Sequence, residues 1–262
     1  MRKILTSLSA LALSAGMASA GGKLAVPTEP IVAAPAPMAV YDWAGGYAGL
    51  GLTFGRASYR SGISEDVVDF FGEGFGVPVT GGLFWPSGSG AGIGGFVGFN
   101  WQNGNIVYGV EGHVSAHRMR GTRNLDLGEI VFGEQQVDIT ARIRTDLRSL
   151  ASLRGRVGVA QDRTLFFVTA GPAIGNVRHN AQLRFGDEVV ESSNQSRSVS
   201  GLMVGAGIEH ALAGGWHIRG DLEHYRFGKR NFNTLGISDP GPDFPNVRTR
   251  VNLARVSAVF RF

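Results

Sequence analysis

The 262-residue chain has no cysteine, so no disulfide framework or thiolate metal site is available and the small stapled class of secreted domains is excluded. Lysine is nearly absent: only Lys3, Lys23 and Lys229 occur. The cations are therefore almost all arginine, the side chain suited to desolvated, bidentate ion pairs. Net charge is only +4 despite a pI near 9.8, and it falls to +2 if Arg2 and Lys3 leave with a signal segment. That is no footprint for nucleic acid. Long apolar runs are missing too. From Gly21 onward no charge-free apolar run reaches the roughly 20 residues that a membrane-crossing helix needs, and a mean hydropathy of +0.03 is too polar for a helical membrane protein. Any passage through a membrane falls to a closed β-barrel, the other structure that satisfies every backbone group in lipid.

What is present begins with "MRKILTSLSALALSAGMASA". A basic start at Arg2 and Lys3, an apolar stretch from Ile4 to Leu13 and the small-residue pattern Ala18-Ser19-Ala20 predict a secretory signal, residues 1–20, cleaved after Ala20. Its apolar core is too short for a transmembrane anchor. The following "LAVPTEPIVAAPAPMAV" is rich in Pro and Ala and has no period. It predicts an extended periplasmic linker over residues 21–42.

From Trp43 onward, period-two alternation takes over. The closing stretch "VNLARVSAVFRF" sets Ala254, Val256, Ala258, Phe260 and Phe262 against Leu253, Arg255, Ser257, Val259 and Arg261. Alternate residues lie on opposite faces of a strand. One face is therefore apolar and the other carries guanidinium groups, the arrangement of a barrel strand in lipid.

Seven earlier stretches repeat the pattern: Ala48, Leu50, Leu52 and Phe54 oppose Gly49, Gly51, Thr53 and Gly55, and Ile106, Tyr108, Val110 and Val114 oppose Glu111, His113, Ser115 and His117. In the fourth, Leu147, Ala151, Leu153, Val157 and Val159 oppose Arg148, Ser152, Arg154 and Arg156. Tight connections fall at "QNGN" near Asn103, at "QDR" near Asp162 and at Gly214-Gly215, and long ones cover roughly 60–90, 118–146, 178–198 and 229–247. Residues 43–262 thus predict an all-β, eight-stranded antiparallel up-and-down transmembrane β-barrel with four long extracellular loops. Ten strands is the alternative count, because parts of the long loops alternate too. Aromatics at strand ends predict interfacial girdles: Trp43, Trp101, Tyr108, Trp216, Phe260 and Phe262 on the periplasmic side, Tyr59 and Tyr225 on the other.

The stretches "WAGGYAGLGLTFG", "GIGGFVGFNWQNGNIVYGVEG", "LRGRVGVAQDRTLFFVTAGPAIGNV", "GAGIEHAL" and "ARVSAVFRF" resemble the small outer-membrane proteins of alphaproteobacteria, the outer membrane immunogenic protein group. That group is similar in architecture to the membrane domain of outer membrane protein A. The resemblance implies a place in the outer membrane of a Gram-negative bacterium. It also implies that Phe260 and Phe262 form the C-terminal signal read by the barrel-assembly machinery during biogenesis. Outer membrane protein A carries a further domain after its barrel; no counterpart follows here, so peptidoglycan anchoring is not implied.

The inward set Glu111, Arg154, Arg156, Glu209, Arg219, Asp221, Glu223 and Arg255 is the most informative constellation. An eight-stranded barrel is only wide enough to be filled by side chains, and charges there must pair because an unpaired buried ion costs several kcal/mol. Inward glycines on the first strand are expected to leave room for the arginine heads. The set predicts an ion-pair network plugging the lumen; a gated path for small ions requires those pairs to swap partners.

Other chemistry is weakly signalled. His113 and Ser115 resemble the His-x-Ser arrangement of outer-membrane lipid A deacylases, with Glu111 as orienter, but they point into the lumen rather than to lipid. His113, His117, His179, His210, His217 and His224 form no close ligand set in sequence, and the His113/His117 pair is expected in the polar interior. The G-x-G pairs, such as Gly205-Ala206-Gly207, sit inside strands and are packing glycines. The aromatic-rich stretch from Asp66 to Pro86 is expected to fold over the barrel mouth or to form a contact patch. The expectation is an integral outer-membrane barrel with a structural, surface-exposed role, without catalytic, metal or cofactor sites. Its expected partners are outer-membrane lipid and lipopolysaccharide, and a host or surface ligand through the loops. The alternatives are a small-solute porin-like channel and a surface adhesin or haem-binding module.

Overall fold

The computed structural model describes residues 41–60, 86–132, 135–233 and 243–262. The signal segment, the linker up to Val40 and the aromatic-rich stretch 66–85 lie outside the described residues. Eight strands follow one another: β1 (Gly45–Arg60), β2 (Gly88–Asn103), β3 (Ile106–Phe132), β4 (Gln135–Gln161), β5 (Thr164–Phe185), β6 (Glu188–Ala211), β7 (Trp216–Asn233) and β8 (Asp243–Arg261). Each pairs antiparallel with the next, and β8 returns to β1 to close the barrel.

Closure requires the strands to tilt, and the register measures that tilt. A path of directly paired residues runs from Gly46 through Phe99, Val110, Gly155, Ala170, Val204, His224 and Asn252. It re-enters β1 at Arg56, ten residues from its start.

The outward face carries an apolar belt about one bilayer high. On β5 it comprises Phe166, Val168, Ala170, Pro172 and Ile174, and polar Asn176 and Arg178 follow on the same face. The 9–11 residues needed for a tilted spanning strand fit this length. Along β8, Ala254, Val256, Ala258 and Phe260 are exposed while Leu253, Arg255, Ser257 and Val259 are buried. Val204, 54% exposed on the belt of β6, is a direct check of the assigned face. Val204→Arg is expected to cost roughly 2–4 kcal/mol in lipid, measured by denaturant unfolding in vesicles; unchanged stability would place Val204 inside.

Two of the regions read as long loops, 118–146 and 178–198, are largely strands, and residues 61–85 of the first lie outside the described residues. β3 and β4 contain 27 residues each and stay paired from Ile106↔Val159 to Phe132↔Gln135, so 118–146 is mostly an extended hairpin. β5 and β6 pair out to Phe185↔Glu188, leaving only Gly186 and Asp187 between them. β8 begins at Asp243, inside the range read as the last loop. These strands continue beyond the apolar belt and build a second storey. There the polarity reverses: Arg118, Arg120 and Arg142 face outward, while Met119, Ile139, Ile143, Leu147, Val177, Val247 and Val251 pack inside.

One irregularity makes this reversal in β4. A register shift lies between Leu147 and Ser149 against β5, leaving Arg148 and Ser149 both exposed between buried Leu147 and buried Leu150. An extra residue in one strand moves everything beyond it to the other face. Leu147 is therefore inside and Arg148 outside, the opposite of the sequence expectation, although Leu153 and Val157 lie outward as expected.

The belt's lower rim shows Trp101 stacked on Tyr108 at 5.9 Å and Trp216 against Phe260 at 5.2 Å, all exposed. Trp43, Tyr59 and Tyr225 do not join a girdle: all three are buried inside the barrel. The tight turns follow backbone chemistry. Gly104 and Gly186 take positive φ of 61° and 56°, which the first central position of a type II′ hairpin turn requires.

Candidate functional site

The barrel interior is the site to which the sequence gives most chemistry. β3 contributes Glu111, β4 Arg154 and Arg156, β6 Glu209, β7 Arg219, Asp221 and Glu223, and β8 Arg255, every one buried. Alternation alone aims them: Arg154 and Arg156, like Arg219, Asp221 and Glu223, stand two residues apart and so share one face of their strand.

Six of them close a ring in which cation and anion alternate. Arg154 Nη1 lies 2.7 Å from Glu223 Oε1, and Arg255 Nη2 lies 2.6 Å from the same oxygen. Arg255 Nε continues to Asp221 Oδ2 at 3.2 Å, and Asp221 Oδ1 meets Arg219 Nη2 at 2.8 Å. Arg219 pairs with Glu111, whose other oxygen is 3.5 Å from Arg154 Nε. Arg156 stands beside the ring with Glu209 at 2.6 Å, and Glu209 also meets His217 Nδ1 at 2.8 Å. Tyr47 and Tyr225 donate their hydroxyl hydrogens to Glu111 and Glu223 at 3.0 and 2.8 Å. The guanidinium faces are covered as well: Arg156 lies 3.8 Å and Arg219 4.6 Å above the Phe167 ring, and Arg219 also 4.6 Å above Phe96. Such paired, stacked guanidiniums are held in place at a depth where a lone charge is costly.

The inward glycines of β1 serve another purpose than the one expected. A side chain at Gly49 would collide with the Phe96 ring, and one at Gly51 with Ser257. The space they leave is filled by these neighbours, and Phe96 in turn carries the arginines.

Apolar layers lie above and below the charged one. Below it, Trp43 packs with Val107, Ala160, Leu165, Phe167 and Ala211, and Tyr41 lies against them. Tyr41 Oη is 3.0 Å from His217 Nε2, the Trp43 ring stands edge-on to His217 at 5.1 Å, and Arg261 donates to the Ala44 carbonyl at 2.7 Å. The segment just before β1 thus tucks into the periplasmic mouth. Above the charges sits the apolar cluster of the second storey.

His113 and Ser115 are both buried in this lumen, but Ser115 Oγ lies against His117 Nε2 at 2.8 Å, and His117 Nδ1 lies 3.3 Å from Thr53 Oγ1. His113 makes no hydrogen bond through either ring nitrogen, so no base meets the Ser115 hydroxyl from position 113. The histidines split between the faces. His113, His117, His179 and His217 are buried, whereas His210 and His224 face outward, against Thr164 Oγ1 at 3.0 Å and Asn252 Oδ1 at 2.7 Å. Among the described residues no group of three His, Asp or Glu is placed to hold a metal ion. In the second storey, burial pushes the His179 imidazole down to about 4, so it is neutral at physiological pH and its Nδ1 meets Thr145 Oγ1 at 3.1 Å.

The family model for the outer membrane protein beta-barrel domain matches residues 30–262. The chain belongs to this family. As an outer membrane protein beta-barrel it lies in the cell outer membrane, with its apolar belt in lipid. It is similar to the 31 kDa outer-membrane immunogenic protein of Brucella melitensis, 26% identical over 267 residues covering 99% of this chain and 98% of that one. A 22 kDa outer membrane protein of Rhizobium leguminosarum is 33% identical over 114 residues, 44% of this chain and 42% of that one. The outer membrane protein OprG of Pseudomonas aeruginosa aligns with 84% of this chain and 97% of its own at 12% identity and a TM-score of 0.42. Within this family barrel, sequence reasoning missed two parts of the interior, the Tyr41–Trp43 cover and the apolar upper core. Tyr225 carried an available signal, since it stands two residues from Glu223 and therefore shares its inward face.

Proposed function

We propose that this outer membrane protein beta-barrel is a structural, surface-exposed element of the cell envelope whose lumen is plugged by its own side chains. The observation that carries the reading is the closed ring of alternating charges from Arg154 round to Glu111, sandwiched between two apolar layers. In such a ring each ion has two counter-ions, so opening a path requires several pairs to separate together. The surface role rests on the paired hairpins that rise above the belt, and on relatives whose names call them immunogenic. The test is sugar uptake by proteoliposomes. Uptake no faster than in protein-free vesicles is expected; rapid uptake would make the protein a small-solute channel instead.

The reading extends to biogenesis, with Phe260 and Phe262 as the signal for the barrel-assembly machinery. Phe262 is 79% exposed, and its amide donates to the Gly46 carbonyl at 3.0 Å, where the first and last strands meet. Deletion of Phe262 is expected to lower the amount of heat-modifiable barrel in outer membranes while the purified variant still refolds in detergent. Unchanged membrane levels would remove the role.

A further inference from the structure

We propose that an outward arginine cluster on β3–β5 binds a phosphorylated glycolipid of the surrounding outer leaflet, its headgroup on the arginines and an acyl chain in the groove beneath. Arg120, Asp146 and Arg178 are directly paired across the three strands. Arg144 stands two residues from Asp146 on the same face, Arg118 two residues from Arg120, and the β4 bulge turns Arg148 outward into the same group. Asp146 is the one carboxylate in this set. It pairs with Arg120 and Arg144 at 3.1 and 3.0 Å, while Arg178 donates to Asn194 Oδ1 at 2.7 Å. Among the described residues no ion pair engages Arg118, Arg148 or Arg178. Two clefts flank Asp146, about 280 Å³ beside Arg118 and Arg120 and about 220 Å³ beside Arg144 and Arg178, with Arg148 lining both. Guanidiniums in excess of carboxylates, set around small clefts, match the planar bidentate recognition of phosphate.

Position selects the source of that phosphate. The cluster begins immediately above the last belt residues, Ala116 on β3 and Ile174 on β5, which is headgroup level. Directly below it, an apolar groove of about 700 Å³ runs over Leu50, Gly95, Val114, Ala151 and Ile174 and ends at Ser149 and Asn176. Ser149 and Asn176 are paired with each other and adjoin Arg148 and Arg178. The concavity continues past Gly112, where an added side chain would meet nothing within 4 Å. A free anion has no use for such a groove; a lipid has use for both parts.

The test uses the full barrel in phosphatidylcholine nanodiscs, titrated with lipid A bearing its phosphates and read by native mass spectrometry. Wild type is expected to retain the lipid and to ignore its dephosphorylated form. Arg144→Gln/Arg148→Gln is expected to bind about thirtyfold more weakly, and Gly112→Leu, which fills the groove without touching an arginine, about tenfold more weakly. Arg56→Gln, an exposed arginine on β1, should bind like wild type. A heat-shifted gel band shows that each variant is folded. Equal retention by all variants, or equal weakening by Arg56→Gln, would overturn the site. Full competition by inorganic phosphate with Gly112→Leu binding like wild type would overturn the lipid assignment.

Discussion

Glu111→Ala is expected to lower the free energy of unfolding in lipid by about 3–5 kcal/mol. Glu111 is fully buried and is the shared partner of Arg154 and Arg219. Its removal leaves Arg219 with Asp221 alone and Arg154 with Glu223 alone, and strands the Tyr47 hydroxyl that donated to it. A buried charge that loses a partner costs far more than the intact pair contributed. The companion Glu111→Leu/Arg219→Met removes one ion of each sign. The remaining chain, Arg154–Glu223–Arg255–Asp221, still alternates and is neutral. The double variant is therefore expected to be more stable than Glu111→Ala, by denaturant unfolding in vesicles followed through tryptophan fluorescence. If the double variant loses more than the single one, packing rather than charge balance governs the ring.

The second large effect belongs to the storey above the membrane. Leu147→Ala is expected to cost about 2–5 kcal/mol, because Leu147 is fully buried among apolar neighbours and the void left behind has nothing to fill it. Leu153→Ala, six residues along the same strand, provides the contrast. Leu153 is 63% exposed on the belt, so lipid fills the space and no cavity remains. Limited proteolysis adds a local readout: Leu147→Ala should open the β3–β4 hairpin to cleavage while the belt stays protected. Equal costs at 147 and 153 would mean that Leu147 also faces lipid.

These two sites also mark what the sequence could and could not tell. Within the belt, period two was enough. Glu111, Arg154, Arg219, Asp221, Glu223 and Arg255 fall on the inward parity of their strands, opposite the apolar residues that face lipid, and the neighbours they meet are set by register alone. Which acid meets which arginine was not legible, because it depends on the ten-residue offset of the closed barrel. Above the belt the same rule misled. Leu147, Leu153 and Val157 share one parity and read as a single outward face; one bulge at Arg148–Ser149 puts Leu147 inside, with Ile139 and Ile143 beyond it, and leaves Leu153 and Val157 in lipid.

The long hairpins read as loops for a related reason. With apolar residues inside and arginines outside, a strand in water has the average polarity of a connection, and only its alternation distinguishes it. Trp43 was misassigned on different grounds. It precedes β1, and nothing in its neighbours' spacing shows that the chain turns under the barrel mouth to reach His217. The arginine cluster around Asp146 was hidden for both reasons at once, since its members lie on three strands in a region that reads as loop, and Arg148 joins them only through the bulge.

The proposed plug of the lumen is tested most directly by single-channel recording of the refolded barrel in a planar bilayer, with Arg154→Ala and Glu209→Ala beside it. Wild type is expected to be silent, with the Tyr41–Trp43 cover, the charged ring and the apolar upper core each closing the same path. Steady wild-type conductance that the two substitutions alter would contradict the account and make the ring the lining of a channel.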